Sequence, residues 1–451
     1  MASHNPINSA NQHSNVTQAS NLGRTRELSE ASQGVPPPGT PKEIGFDGAD
    51  EIFRRLKELR EKRVEKLLRN IKGDSLQERL VDILRKASMS VQTSGFEDAD
   101  VQRRLSESMK TMMDRGQPIL LGLLMGGGKV PVPLKTGYAI LPDVAEWVSW
   151  SNLAAIAQAF EAIYPAGAIV APIPDVALHT ADLGMAVDEA IIHQRQAQDD
   201  LHAIGIERYV KIVDVLSVLP TEWPTDVDRL AKEAIEKIAN EIQEREKFAA
   251  QVDSLLYSVN TRVKSWPCTR LIEIYTAISA IQNHGAKIDD DDARQLIRHV
   301  TAITPHYTAV NWAIREHDLV GRVAAVLTGS RRHIRMSVHA KYGEPRPKLF
   351  GDHGPVRSHG LLPMHGVGIV ERSKHGLQFG VDFELAARIG RWPPVRINGR
   401  QVGYEIQGND VERADGKSSD RSLRLATEFG HKQLKTEACF LGRGRVLAAI
   451  K

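Results

Sequence analysis

The segment from 118 to 175 constrains the fold most. Pro118-Ile-Leu-Leu-Gly-Leu-Leu124 is a short apolar run that stops at Gly126-Gly127-Gly128. A run of that length ending in glycine suits a buried strand feeding a tight loop. Apolar residues then recur at helical spacing over 144–164, and Pro165-Ala166-Gly167 closes that helix. Ala168-Ile-Val-Ala-Pro-Ile173 reads as a second strand, stopping at Pro174-Asp175. Strand, helix, strand in this order predicts an open α/β sheet, in which ligands collect outside the carboxyl ends of the strands.

The flanking sequence extends this core. Residues 1–47 are rich in Ser, Asn, Gln, Gly and Pro and can bury almost nothing, which predicts a disordered tail. Over 48–115 the residues Ile52, Phe53, Leu56, Leu59, Val64, Leu67, Leu68 and Ile71 recur mostly at three- and four-residue spacing among charges. That predicts amphipathic helices, with another segment over 76–86. Residues 116–199 hold the first part of the α/β core and 200–328 a helical region, clearest over 226–259. The acidic run at 289–292 reads as a helix start rather than a calcium loop, which needs alternating oxygen ligands and a turn glycine. Residues 329–451 read as the second part of the core, with strands near 334–339, 366–371 and 402–406 and a C-terminal extension. The expected fold is therefore α/β: a Rossmann-like open mixed sheet with a large helical insertion and a β-rich C-terminal part.

Charge and cysteine usage narrow the partners. Fifty-nine Lys and Arg against 56 Asp and Glu give a net charge of +3, too balanced for whole-body nucleic-acid binding. Cys268 and Cys439 are the two cysteines, too few for a disulfide framework or a four-thiolate zinc site. No apolar run reaches the ~18–20 residues that span a bilayer, and the first residues are polar. A cytoplasmic protein with neither nucleic-acid nor membrane partners is expected.

Familiar catalytic patterns fail. A phosphate-binding loop ending at Lys129 would need Gly at 123 and Ser or Thr at 130, where Leu123 and Val130 stand. Only a general anion site at the glycine amides survives that test. Ten of 16 histidines lie between His284 and His375, yet none pairs with a carboxylate at metal-ligand spacing. There is no Gly-x-Ser-x-Gly elbow.

Two clusters remain. Lys129-Val-Pro-Val-Pro-Leu-Lys135 is held extended by alternating prolines and carries two ammonium groups beside a strand end. Leu141-Pro142-Asp143-Val144-Ala145-Glu146 comes next, with Asp143 placed to cap a helix. In Ile334-Arg335-Met336-Ser337-Val338-His339, strand alternation puts a cation, a hydroxyl and an imidazole on one face. Such a face suits a site wall better than a core.

On these clusters the chain resembles the isocyanide (isonitrile) synthases of the pyoverdine/dityrosine biosynthesis family. Members show a Phe-Pro-x-Lys-Ser-Pro-Asn-Pro-x-Lys loop, met here as 127–135 with both lysines and both prolines in register. Leu141–Glu146 is similar to their Leu-Pro-Asp-x-Ala-Glu, and Tyr164–Ala168 to Tyr-Pro-Pro-Gly-Ala. Asp175 and Asp182 fall where two acids stand in the family. Ile334–His339 resembles Ile-Arg-Leu-Ser-Ile-His, with Lys348 beyond it. Pro363-Met364-His365-Gly366-Val367 resembles Pro-Trp-His-Gly-Val, and Asn398–Glu405 a Gly-Arg-Pro segment with Tyr and Glu. The resemblance spans about residues 110–410.

It implies that the amine of an amino acid or related small amine condenses with ribulose 5-phosphate, the co-substrate, whose C2 becomes the isocyanide carbon. Neither a cofactor nor a metal is required, and a downstream oxygenase of the same pathway is an implied partner. The chemistry needs cations for phosphate and carboxylate and groups for proton transfer. The implied catalytic residues are Lys129, Asp175, His339 and His365, and the implied substrate-binding residues Lys135, Arg335, Ser337 and Lys348. Two alternatives stay open. One is a formyl- or other one-carbon-transferring relative of the dityrosine branch; the other is a non-catalytic sugar-phosphate-binding protein of the same fold.

Departures from the pattern are glycines before Lys129 for Phe-Pro, Val130 and Val132 for Ser and Asn, Val176 for Gly and Met364 for Trp. They predict a substrate other than free Tyr or Trp. The clusters also carry two structural expectations. The 127–135 loop and the 335–339 strand should line one pocket. Lys129→Ala or Arg335→Ala should then abolish turnover and leave the fold intact.

Overall fold

The computed structural model describes residues 48–89, 95, 98–125, 129, 140–180, 186–242, 306, 308–338, 342–350, 363, 366–373, 376–382 and 393–406. All belong to one compact unit, Gly45–Lys451. The expected N-terminal tail, the acidic run at 289–292 and the C-terminal extension lie outside the described residues.

Three helices open the described chain: α1 (Ala49–Leu68), α2 (Leu76–Ala87) and α3 (Ala99–Met113). Ser75 and Glu78 form a capping box that starts α2, and Asp98 caps α3. Strand β1 (Ile119–Leu124) comes next, then α4 (Val144–Glu161) and β2 (Ala168–Ile173). Gly167 adopts φ +66 at the end of the helix–strand turn, and its carbonyl accepts from the Ile119 amide at the foot of β1. After α5 (Val187–Ala203), α6 (Trp223–Ile242) and α7 (Leu319–Thr328) comes β3 (Ile334–Ser337).

These strands form a sheet in the order β2-β1-β3, parallel throughout. Its two faces bury different layers. Ile119, Leu121, Leu123, Val170, Ile334 and Met336 pack with α1 to α4. Leu120, Ala171 and Ile173 pack with α6, the helical segment 308–316 and α7. Strands buried on both faces read as continuous apolar runs, which is why 119–124 and 168–173 lack alternation.

Gly122 sits on the second face, where a Cβ would lie 2.3 Å from Val320 Cγ1 of α7. Gly122→Ala is expected to destabilise the fold by about 1–3 kcal/mol through overpacking, and Val320→Ala in the same chain should recover part of that loss. Equal losses in both backgrounds under chemical denaturation would show that this contact is not the cause.

A second sheet is built from β4 (Val367–Ser373), β5 (Gly376–Asp382), β6 (Pro394–Ile397) and β7 (Arg400–Ile406), in the order β5-β4-β7-β6. The pair β4–β7 is parallel and the other two are antiparallel. The mixed character expected of one open sheet thus belongs to this second sheet, while the first is wholly parallel among the described residues. Helix α4 is buried nearly all round. The first sheet and α1 cover parts of it and β4 approaches its start, so its apolar residues form no single stripe. No helix among the described residues is long and apolar enough to cross a membrane.

Candidate functional site

The site begins where β1 ends. Lys129 is fully buried, and its Nζ donates to Asp143 Oδ2 at 2.5 Å and to the Gly366 carbonyl at 2.8 Å. Glu146 Oε2 lies 3.3 Å from the same ammonium. Burial alone would lower the Lys129 pKa, but the neighbouring carboxyl groups of Asp143 and Glu146 outweigh it and hold the ammonium above its ordinary value. Lys129 is a charge locked in the interior, not a free cation lining a wet pocket.

Asp143 organises the cluster. Its Oδ1 accepts from the Ala145 amide, and Asp143 and Glu146 form the capping box of α4. Its Oδ2 also accepts from the Gly368 amide of β4 at 2.7 Å. A Cβ at Gly368 would lie 2.4 Å from Val144 Cγ1 and 2.8 Å from Asp143 Oδ1, so glycine lets β4 reach the helix start. The expected cap is present, and it also joins the second sheet to α4.

A cavity opens beside this cluster, about 380 Å³ counted with the open solvent at its mouth. Glu146, His193 and Gln194 supply its polar lining, and Trp150, Pro174 and Pro363 are among its apolar walls. Met125 directly succeeds β1 and Pro174 directly succeeds β2, so the cavity stands at the carboxyl ends of the parallel strands, where such sheets bind ligands. Burial foremost, helped by the charge on Asp143, raises the Glu146 pKa well above the ordinary carboxylate range despite Lys129.

Other predicted residues lie elsewhere. Asp175 starts a short 3-10 turn, Asp175–Leu178, one residue beyond Pro174. Arg335 and Ser337 pair in register with Gly122 and Leu124. Since Ile334 and Met336 join the first core, alternation turns Arg335 and Ser337 to the face that packs on α7. Arg335 Nε lies 3.4 Å from Glu344 Oε1. The Lys348 amide donates to the Ala87 carbonyl, joining it to the end of α2. Neither Lys129 nor Arg335 is among the residues lining this cavity, and most of the 127–135 loop expected to share a pocket with the 335–339 strand lies outside the described residues. Lys135, His339 and His365 fall outside the described residues, as does Asp182. Among the described residues, no group of three or more His, Cys, Asp or Glu is placed to hold a metal.

Three residues of α5 carry no motif that singles them out in the sequence. His193 and Gln194 line the cavity, and Asp200 accepts from Trp147 Nε1 at 2.7 Å and from Arg400 at 2.9 Å. Burial raises the Asp200 pKa, while Arg400 and Trp147 oppose the rise. Ala190, Ala197 and Leu201 share the buried side of this helix with them. Polar residues inside an apolar stripe were the available signal.

Fold and site together define an α/β protein with a parallel sheet, a β-rich C-terminal part and an ion-paired cluster beside a cavity at the strand ends. No family model matches the chain, and no curated protein does. Among solved structures it is similar to the crystal structure of the PvcA protein from Pseudomonas aeruginosa. The TM-score is 0.49 and the identity 18%, over 74% of this chain and 100% of that one. So slight a likeness fixes neither an activity nor a site residue.

Proposed function

We propose that this chain is an isocyanide-synthase-like enzyme that condenses the amine of an amino acid or related small amine with ribulose 5-phosphate. One observation carries the reading. Four of the segments that resemble the family's motifs, scattered from Lys129 to Val367, meet around a single cluster and cavity, while Ile334–Ser337 and Lys348 stand apart from it. Lys129 binds Asp143 and the Gly366 carbonyl, Asp143 binds Gly368, and Glu146, Pro174 and Pro363 line the same space. Parts so distant in sequence converge when they serve one site.

Within this reading Lys129 is a positioning residue. It fixes Asp143, and through it the start of α4 and the approach of β4, and it has no surface left to offer a substrate. Arg335, Ser337, Lys348 and Lys135 remain the proposed holders of phosphate and carboxylate. Asp175, His339 and His365 remain the proposed proton carriers. The apolar walls suit the body of a small amine more than a sugar phosphate.

Incubating the full chain with ribulose 5-phosphate and a panel of amino acids, with mass spectrometry of the products, tests the proposal. Loss of an amine with appearance of its isocyanide is expected. A formylated product would favour the one-carbon alternative, and sugar-phosphate binding with no amine consumed would favour the non-catalytic one. The loop changes at Val130 and Val132 remove hydrogen-bonding partners, and a polar substrate group left unpaired costs about 1–3 kcal/mol. Free Tyr and Trp should accordingly fall below the ordinary enzyme range of about 10⁴ M⁻¹s⁻¹ in kcat/KM. Values above it would overturn the substrate prediction alone.

A further inference from the structure

We propose that Glu146 is the proton donor of the cavity at the strand ends, its Oε1–H serving an oxygen of the bound ligand. The proposal rests on the isocyanide-synthase reading for the identity of that oxygen, and on the structure for the rest. Nothing in the family resemblance singles this residue out as an acid.

The charges do not balance unless a proton is present. One ammonium, Lys129, faces two carboxyl groups in a cluster where none of the three is more than 3% exposed. An uncompensated second negative charge in such a place is costly. Asp143 is the better anion, because its two oxygens accept from Lys129, the Ala145 amide and the Gly368 amide. Glu146 Oε2 accepts from the Asp143 amide at 3.0 Å and lies near Lys129. Glu146 Oε1 is buried and has no hydrogen-bond partner among the described residues. The proton therefore belongs on Oε1, the oxygen that the cap and the ion pair leave over, on a residue that lines the cavity. The charged and titratable groups facing it are Lys129, Asp143 and, across the cavity on α5, His193. The amides at the start of α4 favour the anion, but burial outweighs them.

In imine formation the cycle closes without any other acid. The substrate amine attacks the C2 carbonyl of the sugar phosphate, and the carbonyl oxygen takes the Glu146 proton. One N–H proton returns to the carboxylate, which Lys129 steadies, and a carbinolamine results. Glu146 then protonates the carbinolamine hydroxyl, which leaves as water. The second N–H proton restores the acid.

The first test needs no substrate. If Glu146 takes up a proton on folding, its contribution to stability is present below its unfolded pKa near 4.5 and is lost as pH rises towards its higher folded value. Glu146→Gln imitates the neutral acid and has no such dependence. The folding constant of the wild type relative to E146Q should fall by up to about tenfold per pH unit above that point; parallel pH–stability curves would overturn the proposal. Should E146Q fail to fold, infrared spectroscopy of the wild type decides. A carboxylic-acid C=O band persisting at pH 7 is expected, and its absence overturns the proposal. In the amine assay, E146Q should lose about 10²–10⁴-fold in kcat with KM little changed, and full activity in E146Q would exclude it as the donor. If the wild type consumes no amine, the isocyanide-synthase reading fails while the stability and infrared tests still judge Glu146.

Discussion

Lys129→Ala is expected to lower folding stability by about 3–5 kcal/mol, the cost of leaving a buried charge without its partner. This reverses the expectation from sequence that the fold would survive the change. The loss has two parts. Asp143 would be left a buried anion with no cation, and the Gly366 carbonyl would lose its donor. Lys129→Met separates charge from volume and should be almost as damaging as Lys129→Ala. Adding Asp143→Asn to Lys129→Met should restore part of the loss by removing the orphaned charge. Chemical denaturation measures all three, and an unchanged midpoint in Lys129→Ala would mean that the pair is not buried in solution. Loss of activity in a Lys129 variant is therefore no evidence of contact with substrate.

Arg335→Ala should behave in the opposite way. Its side chain is 23% exposed, and its ion pair with Glu344 is 3.4 Å long. Pairs of that kind contribute about 0–1 kcal/mol, so the fold should persist. Under the proposed function, removing a cation that positions phosphate or carboxylate should cost about 100-fold or more in turnover. Circular dichroism and the amine assay on one preparation check both halves. A variant with intact fold and full turnover would assign the anion-holding role to another residue.

The Asp200 contacts show how the halves of the chain depend on one another. Asp200 of α5 holds Trp147 of α4 and Arg400 of the β6–β7 hairpin. It joins parts of the chain 200 positions apart. No local pattern could pair them, because they lie on three separate elements that only tertiary packing brings together.

Local features obeyed local rules. The apolar runs at 119–124 and 168–173 are strands because glycine and proline bound them and nothing polar interrupts them. Asp143 caps α4 because its side chain reaches the free amides of the first turn. Strands β5 and β6 carry no such local signal, because Gly376–Asp382 and Pro394–Ile397 are held as strands by pairing with β4 and β7. The site divides in the same way. Chain order and composition determined by themselves that Lys129, Asp143, Glu146 and Arg335 stand near strand ends and helix starts. Tertiary structure alone decided that Lys129 would be sealed inside an ion pair, that Arg335 would meet Glu344, and that Glu146 would border the cavity. The physical reason is desolvation. A charged side chain reads the same in sequence whether it meets water or a buried partner, and only the packing of α4 against β4 settles which.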